Sequence, residues 1–335
     1  MSEPVRVGLN GFGRIGRAVF RASLQSEAVE IVGINDIMED EELEYLAKYD
    51  TVMGRLDAAS LDDGTLSVEG TDFEAGVFHE TDPTQLPWAE LDVDVAFEAT
   101  GIFRTYEDAT NHLDAGADKT VISAPPKGET PVKQIVYGVN QHEYDGQDVV
   151  SNASCTTNSV TPIAQVLNDE FTINTGQLTT VHAYTGTQNL VDGPNSKPRR
   201  RRAAAENIIP TTTGAAQAAT EVLPELEGKL DGMAMRVPVP TGSITELVVD
   251  LDADATEADI NGAFRDAASG EMEGVLGVSD DDIVSSDIVG QPYSTIVDLP
   301  NTNVVNGMTK VLTWYDNEFG FANRMLDVAQ HVHEG

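Results

Sequence analysis

Cysteine is nearly absent from this chain: its 335 residues contain one, Cys155. A lone thiol excludes a disulfide framework and the small secreted scaffolds that depend on one. No apolar run approaches the roughly 18 residues of a membrane-spanning helix, and the N-terminal MSEPVRVGLNG enters a strand-like pattern at once. The expectation is a cytoplasmic chain with no membrane partner and no signal peptide. Basic residues are scarce as well. Lys and Arg together number 20, seven of them Lys, against 56 acids, for a net charge of −36 and a pI near 4.2. Such a surface repels itself, and it repels nucleic acid and anionic membrane, so nucleic acid is not expected as the main partner. At molar salt the screening length falls to about 3 Å, and the composition is read as adaptation to a salt-rich cytoplasm. The acids are interleaved with apolar positions rather than gathered in a tail, which assigns them to a folded surface.

What is present is ample core material. With 40% apolar and 23% charged residues, the length suffices for two domains. VRVGLN (5 to 10), EIVGIND (30 to 36), VDVAFEAT (93 to 100), TVISA (120 to 124), IVYGV (135 to 139) and VVSNAS (149 to 154) alternate with helical stretches. Strands apolar nearly throughout are buried on both faces, which predicts a doubly wound, mostly parallel α/β domain over residues 1–153. Beyond it QLTTVHAYT (177 to 185), ITELVVDLD (244 to 252) and MTKVLTWYD (308 to 316) alternate apolar and polar positions. That pattern predicts a mostly antiparallel sheet over 154–317, covered on one face by helices such as 256 to 268. A last helix, 318–335, is apolar at Phe321, Met325, Val328 and Val332 and is expected to pack back on the first domain.

VRVGLNGFGRIGRAVFRASL reads as strand, glycine loop and helix, with Gly11, Gly13 and Gly16 in G-x-G-x-x-G spacing. Gly11 allows the tight turn, Gly13 the approach of a pyrophosphate, and Gly16 close packing of helix on strand; the helix N-terminus then faces the diphosphate. Asp36 ends the second strand 20 residues after Gly16, where a carboxylate accepts from ribose hydroxyls and repels a 2′-phosphate. NAD is therefore the expected cofactor, in preference to NADP.

Cys155 opens a helical segment, ASCTTNSVTPIAQVLND, where the helix dipole and nearby N–H groups favour thiolate. A small buried hydrophobe is the other reading of a lone cysteine. His182, mid-strand in TTVHAYT, is a candidate base for that thiol or a satisfied core residue. The other histidines, at 79, 112, 142, 331 and 333, have acidic or surface-like neighbours and no metal-ligand spacing, so no metal is expected. PRRRR (198 to 202) and Arg236 concentrate positive charge in a chain short of it. A solvated face or a nucleic-acid patch is the common meaning of a basic run, but the overall charge opposes the latter. An anionic small substrate fits better, with TTTGAA (211 to 216) offering hydroxyls and a backbone N–H.

Taken together, NGFGRIGR, EATGIF, ISAPP, SNASCTTN, TVHAYT, RRAAAENIIPTTTGAA, GMAMRVPVPTGS and WYDNEFGFANR resemble glyceraldehyde-3-phosphate dehydrogenases of the phosphorylating type, in the same order along nearly the whole chain. The resemblance implies a Rossmann-type NAD-binding domain followed by a catalytic domain. It implies Cys155 as nucleophile and His182 as base. It implies Gly11, Gly13, Arg14, Ile15, Gly16, Asp36, Thr100, Gly101 and Ser123 around NAD, with Asn317 on the nicotinamide carboxamide. Ser154, Thr156, Thr213 and Gly214 would hold attacking inorganic phosphate, Thr185 and Arg236 the phosphate of glyceraldehyde 3-phosphate, and Arg200 would reach between the two. A homotetramer is implied as well, with 185 to 205 near a subunit interface. The sequence departs from the family pattern at Thr81, where an arginine usually precedes DP, at Phe319 and Phe321 for Trp and Tyr, and at Ala99 for a frequent cysteine. Pro194 agrees with NAD-specific members. An erythrose-4-phosphate dehydrogenase and a non-catalytic NAD-binding regulator are the alternatives this resemblance leaves.

Overall fold

The computed structural model describes residues 3–335. The chain divides into two compact units. One runs to Ser154 and takes up Ala322–Gly335; the other is Cys155–Phe321.

The first unit begins β1 (Val5–Asn10), α1 (Arg14–Ser23), β2 (Val29–Asn35) and α2 (Asp40–Lys48), then a short ribbon, β3 (Tyr49–Asp50) and β4 (Gly54–Arg55). It continues through β5 (Ala59–Asp62), β6 (Thr65–Val68), β7 (Glu74–Phe78) and β8 (Val95–Glu98). After α3 (Tyr106–Ala109) and α4 (Asn111–Asp114) come β9 (Lys119–Ile122), β10 (Lys133–Gln134) and β11 (Val149–Ser151). The sheet order is β10-β11-β9-β8-β1-β2-β7-β6-β5, parallel from β10 to β7 and antiparallel at β7, β6 and β5. All four residues of β8 and five of six in β1 are buried, as a sheet covered on both faces requires. Chain order runs outward from the β1–β8 pair through β2 and β7 on one side and through β9 and β11 on the other, with β6, β5 and β10 added in reverse order at the edges, and loops at the carboxyl ends of such a pair form a crevice.

A buried polar chain crosses this sheet. Trp88 Nε1 donates to His112 Nδ1 at 3.1 Å, and His112 Nε2 lies 3.2 Å from Glu98 Oε2. An indole is only a donor, so His112 is neutral and donates from Nε2. Glu98 also accepts from Asn10 Nδ2 at 2.7 Å, from Thr100 N at 2.8 Å and from the Thr100 hydroxyl. Asn10 Oδ1 accepts from Asn35 Nδ2 at 2.8 Å. His112 is therefore fully buried, against the expectation of surface-like neighbours: the indole and the carboxylate satisfy both ring nitrogens. Trp88 lies across β1 and β2 because Gly8 and Gly33 clear a path; a Cβ at either would stand 3.0 or 2.9 Å from the indole.

The second unit holds α5 (Cys155–Phe171), β12 (Ile173–Ala183), β13 (Ile209–Thr212), α6 (Ala215–Val222), β14 (Leu230–Val237) and β15 (Ser243–Leu251). These are followed by α7 (Glu257–Ala268), β16 (Leu276–Ser279), β17 (Thr295–Asp298), β18 (Asn303–Val305) and β19 (Met308–Tyr315); α8 (Phe319–Glu334) closes the chain, its residues from Ala322 on belonging to the first unit. The sheet order is β13-β14-β12-β15-β19-β17-β16, with β18 beside β19. Most pairs are antiparallel, but β12–β14 and β16–β17 are parallel. Burial alternates residue by residue along β15. The buried face carries α5, against β12, β15, β17 and β19, and α7 packs on α5. Thr256 and Asp259 cap α7 reciprocally, which fixes where that helix begins.

The structure corrects the strand expected at 135 to 139. The Val136 N–H is taken by the Asn140 side chain at 2.8 Å, and Val139 and Asn140 bond back to the Val136 carbonyl. The segment turns, and Lys133–Gln134 pairs with β11 instead.

Replacing Trp88 by Phe removes the one donor that faces His112 Nδ1 and opens a void beside Gly8. Urea unfolding is expected to register a loss of about 1–3 kcal/mol, and an unchanged midpoint would show that the indole does not anchor this network.

Candidate active site

Cys155 is the first residue of α5 and is partly exposed. His182 is the penultimate residue of β12, not mid-strand, and is 3% exposed. Its Nε2 lies 3.5 Å from Cys155 Sγ. The parallel pairing of β12 with β14 sets His182 directly opposite Arg236, and the guanidinium closes on the other side of the ring. Arg236 Nη1 is 2.9 Å from His182 Nδ1, donates to the Ala183 carbonyl at 2.8 Å and lies 3.5 Å from Thr185 Oγ1. His182 Nδ1 is itself 2.7 Å from that same carbonyl. The nitrogen thus sits between a group that only donates and a group that only accepts. It either accepts from Arg236, leaving the ring proton on Nε2 toward sulfur, or donates to Ala183, leaving a lone pair toward sulfur.

Electrostatics oppose charge on both members of the pair. Burial, then the charge of Arg236, pushes His182 down to about 3. Burial is also the largest influence on Cys155 and raises its thiol, with Arg236 pulling the other way. The expected helix-start thiolate is therefore corrected: desolvation of the sulfur outweighs the favourable end of α5 and the nearby cation.

Tyr315, which the sequence reading passed over inside WYDNE, ties the two elements together. Its hydroxyl lies 2.9 Å from Thr156 Oγ1 and 2.8 Å from Thr180 Oγ1, and its ring meets His182 edge-on at 5.9 Å. The hydroxyl of Thr156 is accordingly turned toward Tyr315. Ser243, on β15, accepts from the Ala183 N–H at 3.1 Å and donates to Asn317 Oδ1 at 2.9 Å. That donation identifies Oδ1 as the Asn317 amide atom held by Ser243. The neighbouring Asp316 carboxylate accepts from the N–H groups of Glu318 and Phe319 at the start of α8.

Beside Arg236 the positive charge continues. Arg200 Nε donates to Thr211 Oγ1 at 3.1 Å, and Lys197 Nζ to Thr212 Oγ1 at 2.7 Å. Burial comes first in lowering the proton affinity of all three cations; Arg236 also lowers both others, and Arg200 lowers Lys197. Arg236 Nε is buried without a hydrogen-bond partner. Thr185 and Thr187 pair their hydroxyls at 3.0 Å, and Thr213 Oγ1 accepts from Ala215 N next to Gly214, the cap of α6. Cations that meet hydroxyls and a carbonyl in place of carboxylates form a surface suited to an anion. Lys197 belongs to it and was not among the residues singled out from sequence.

In the first unit, Gly11, Asp36, Thr100 and Ser123 follow the carboxyl ends of β1, β2, β8 and β9. Gly11 has φ +100° and comes so close to the Ala99–Thr100 peptide that a Cβ would stand 2.7 Å from it. Gly16 would place a Cβ 2.0 Å from the Gly11 carbonyl, whereas one at Gly13 meets nothing within 4 Å. The Asp36 carboxylate accepts from Phe12 N at 2.6 Å and Met38 N at 3.1 Å, joining the glycine loop to the β2 turn. Arg14 and Ile15 open α1, and Arg14 pairs with Asp50. Gly101 continues the Thr100 turn at φ +71°, and Ser123 N donates to the Glu98 carbonyl. Open space over Gly13 and a fixed carboxylate at Asp36 suit a dinucleotide.

Known proteins agree with both units. The profile described as glyceraldehyde 3-phosphate dehydrogenase, NAD binding domain, matches residues 5–106, and the profile for the C-terminal domain of the same enzyme matches residues 154–317. A glyceraldehyde-3-phosphate dehydrogenase of Haloarcula vallismortis is 79% identical over 334 residues, covering 100% of both chains. Those of Streptomyces coelicolor and Priestia megaterium are 52% and 50% identical, each over 98% of both chains. The chain belongs to the glyceraldehyde-3-phosphate dehydrogenase family.

This dehydrogenase has an NAD-binding domain in which two glycines play separable parts. Gly16→Ala forces backbone apart and is expected to lose about 2 kcal/mol or more of stability in urea unfolding. Gly13→Ala should fold with an unchanged midpoint yet bind NAD at least about tenfold more weakly by calorimetry, because its methyl group occupies space meant for a diphosphate. Equal affinity in wild type and Gly13→Ala would refute that assignment.

Proposed function

We propose that the enzyme oxidises D-glyceraldehyde 3-phosphate in the presence of inorganic phosphate to 1,3-bisphosphoglycerate, with Cys155 as nucleophile and His182 as the proton-transfer group. The observation that carries this reading is the Cys155 Sγ to His182 Nε2 approach of 3.5 Å, with Arg236 on the far ring nitrogen. NAD, held by Gly11, Gly13, Arg14, Ile15, Gly16, Asp36, Thr100, Gly101, Ser123 and Asn317, supplies the acceptor for the hydride that leaves the aldehyde carbon.

The chain's own residues do the rest. Thiol and imidazole start neutral, so His182 Nε2 takes the Sγ proton as sulfur adds to the aldehyde carbon and the C=O pair moves onto oxygen. The proton is returned to that oxygen, giving a thiohemiacetal. When hydride departs, His182 removes the hydroxyl proton and the C=O bond reforms as a thioester. A phosphate oxygen then attacks the carbonyl carbon, the C–S bond breaks, and Cys155 leaves as thiolate to be reprotonated. The substrate's own phosphate is assigned to Arg236 and Thr185. The attacking phosphate is assigned to Ser154, Thr156, Thr213 and Gly214, with Arg200 between.

Phosphate binding has a consequence for the base. Drawing Arg236 toward a phosphate leaves the Ala183 carbonyl as the partner of Nδ1. His182 then donates from Nδ1 and presents its Nε2 lone pair to sulfur, the form that can take a proton. Withdrawing the guanidinium's charge by pairing it with phosphate also relieves part of what holds His182 down. Substrate would thus switch on its own base.

The chain is proposed to act as a homotetramer in a salt-rich cytoplasm. Leu190, Val191 and Ile208 are 80%, 71% and 68% exposed, large apolar groups suited to cover by another copy.

In molar KCl with substrate, NAD and inorganic phosphate, NADH formation should fall roughly a thousandfold or more for Cys155→Ser and roughly 10²–10⁴-fold for His182→Asn. A Cys155→Ser enzyme as fast as wild type would sink the mechanism. Light scattering should give four copies in molar KCl and fewer after dilution to about 0.1 M, as screening of the acidic surface is lost; a mass independent of salt would contradict the adaptation.

A further inference from the structure

We infer that His79 is an imidazolium clasp that fixes the Asp36–Asp40 turn for the adenosine half of NAD, so that NAD binding is linked to uptake of a proton at this ring. The inference rests on the dinucleotide site proposed above and adds a residue to it. His79 follows β7, and the parallel pairing of Asn35 with Phe78 brings it alongside the turn after β2. Its Nδ1 is 2.9 Å from the Asp36 carbonyl, and its Nε2 is 2.8 Å from Asp40 Oδ1. A carbonyl and a carboxylate can only accept, and a neutral imidazole carries one N–H. Both contacts are satisfied together only by the doubly protonated ring.

The surroundings favour that form. The charged groups acting on the ring are Asp40 from α2 and Glu39 at its cap, both acidic, beside the Asp36 backbone carbonyl of the β2 turn. Burial works against the cation, but the Asp36 carbonyl and Asp40 outweigh it and hold the ring above its ordinary range. The sign follows. With the folded value raised, the clasp is complete at low pH and is lost as pH rises through that raised value.

Within the turn, Asp36 N donates to the Phe78 carbonyl and Met38 N to the Asp36 carboxylate. Ile37 at its tip is 74% exposed, so polar contacts do the fastening. One end is the Asp36 carboxylate on the Phe12 N–H of the glycine loop; the other is His79. A carboxylate intended for ribose hydroxyls is better placed when the turn is already ordered, because the ligand then bears less of the ordering cost. His79 and Asp40 are 42% and 53% exposed in their side chains, so the effect is modest: roughly two- to fivefold in affinity.

Calorimetry of NAD binding in molar KCl, between about pH 6 and about pH 9 and in two buffers of different protonation enthalpy, tests this with wild type, His79→Gln and Asp40→Asn. Wild type is expected to bind roughly two- to fivefold more weakly at the upper pH and to take up a fraction of a proton on binding at intermediate pH. His79→Gln should lose that uptake, and Asp40→Asn should shift it to lower pH. Binding with the same pH slope and proton uptake in all three proteins overturns the clasp. If none binds NAD at any pH, the dinucleotide site itself fails. The ring still decides the clasp's chemistry in that case: NMR titration of His79, assigned by its loss in His79→Gln, should show a cation at about pH 6 whose pKa falls in Asp40→Asn, and a neutral ring there refutes it.

Discussion

Arg236 keeps its proton at any pH the protein meets, and the parallel pairing of β12 with β14 places that fixed charge against the ring of His182. The neighbouring chemistry follows from this contact. Burial and the adjacent guanidinium both disfavour charge on the imidazole and hold His182 toward its neutral form. The thiol 3.5 Å from it then lacks the imidazolium that would stabilise a thiolate. A resting ion pair would be reactive toward any electrophile that reached it. The neutral pair is quieter, and in the proposed mechanism it is an anion bound at Arg236 that would rouse it.

The two units bury opposite charges and resolve the problem differently. In the first, the Glu98 carboxylate is saturated, receiving hydrogens from Asn10, Thr100 and His112; a buried charge so fully bonded is a rigid part of the frame and sets the ends of β1 and β8. In the second, Arg236 retains a buried Nε without a partner. An unsatisfied donor of this kind costs stability in the free protein. An anion bound at the proposed phosphate site would offset that cost, as expected of a group in a binding surface rather than in the frame.

How much of this the sequence disclosed depended on how local the cause was. The glycine loop with Asp36 and the buried strands could be read because spacing and periodicity are local signals. Strands β5 to β7 went unread, although LDDGTL carries an Asp-Gly hairpin turn with Asp63 and Gly64 both at positive φ; their pairs are short and only half apolar. IVYGV resembles a strand in its apolar content, but its backbone turns where the Asn140 side chain accepts from the Val136 N–H and Val139 and Asn140 bond back to the Val136 carbonyl. Thiol acidity was misjudged for a related reason. The favourable helix end is visible in sequence, while desolvation of the sulfur depends on how β12, β19 and α5 close around it. His112, His79, Lys197 and Tyr315 act through partners distant in sequence, such as Trp88, Asp36, Thr212 and Thr180, and nothing in their own neighbourhoods announces those meetings.

The charge of −36 bears on these sites unequally. Salt screens exposed pairs strongly and buried ones weakly. The Arg236–His182 contact and the Glu98 network lie largely within the protein, and their geometry should be indifferent to ionic strength. Lys197 and Arg199, Arg201 and Arg202 are exposed, and so is most of the acid. In dilute salt the acidic surface would repel an incoming phosphate ester that the basic patch attracts. In concentrated salt both long-range terms fade, and short-range hydrogen bonds from Arg236, Arg200 and the threonine hydroxyls are left to select the ligand. A surface this acidic is therefore compatible with an anionic substrate only where recognition is carried at contact distance, and that is where this chain has placed its cations.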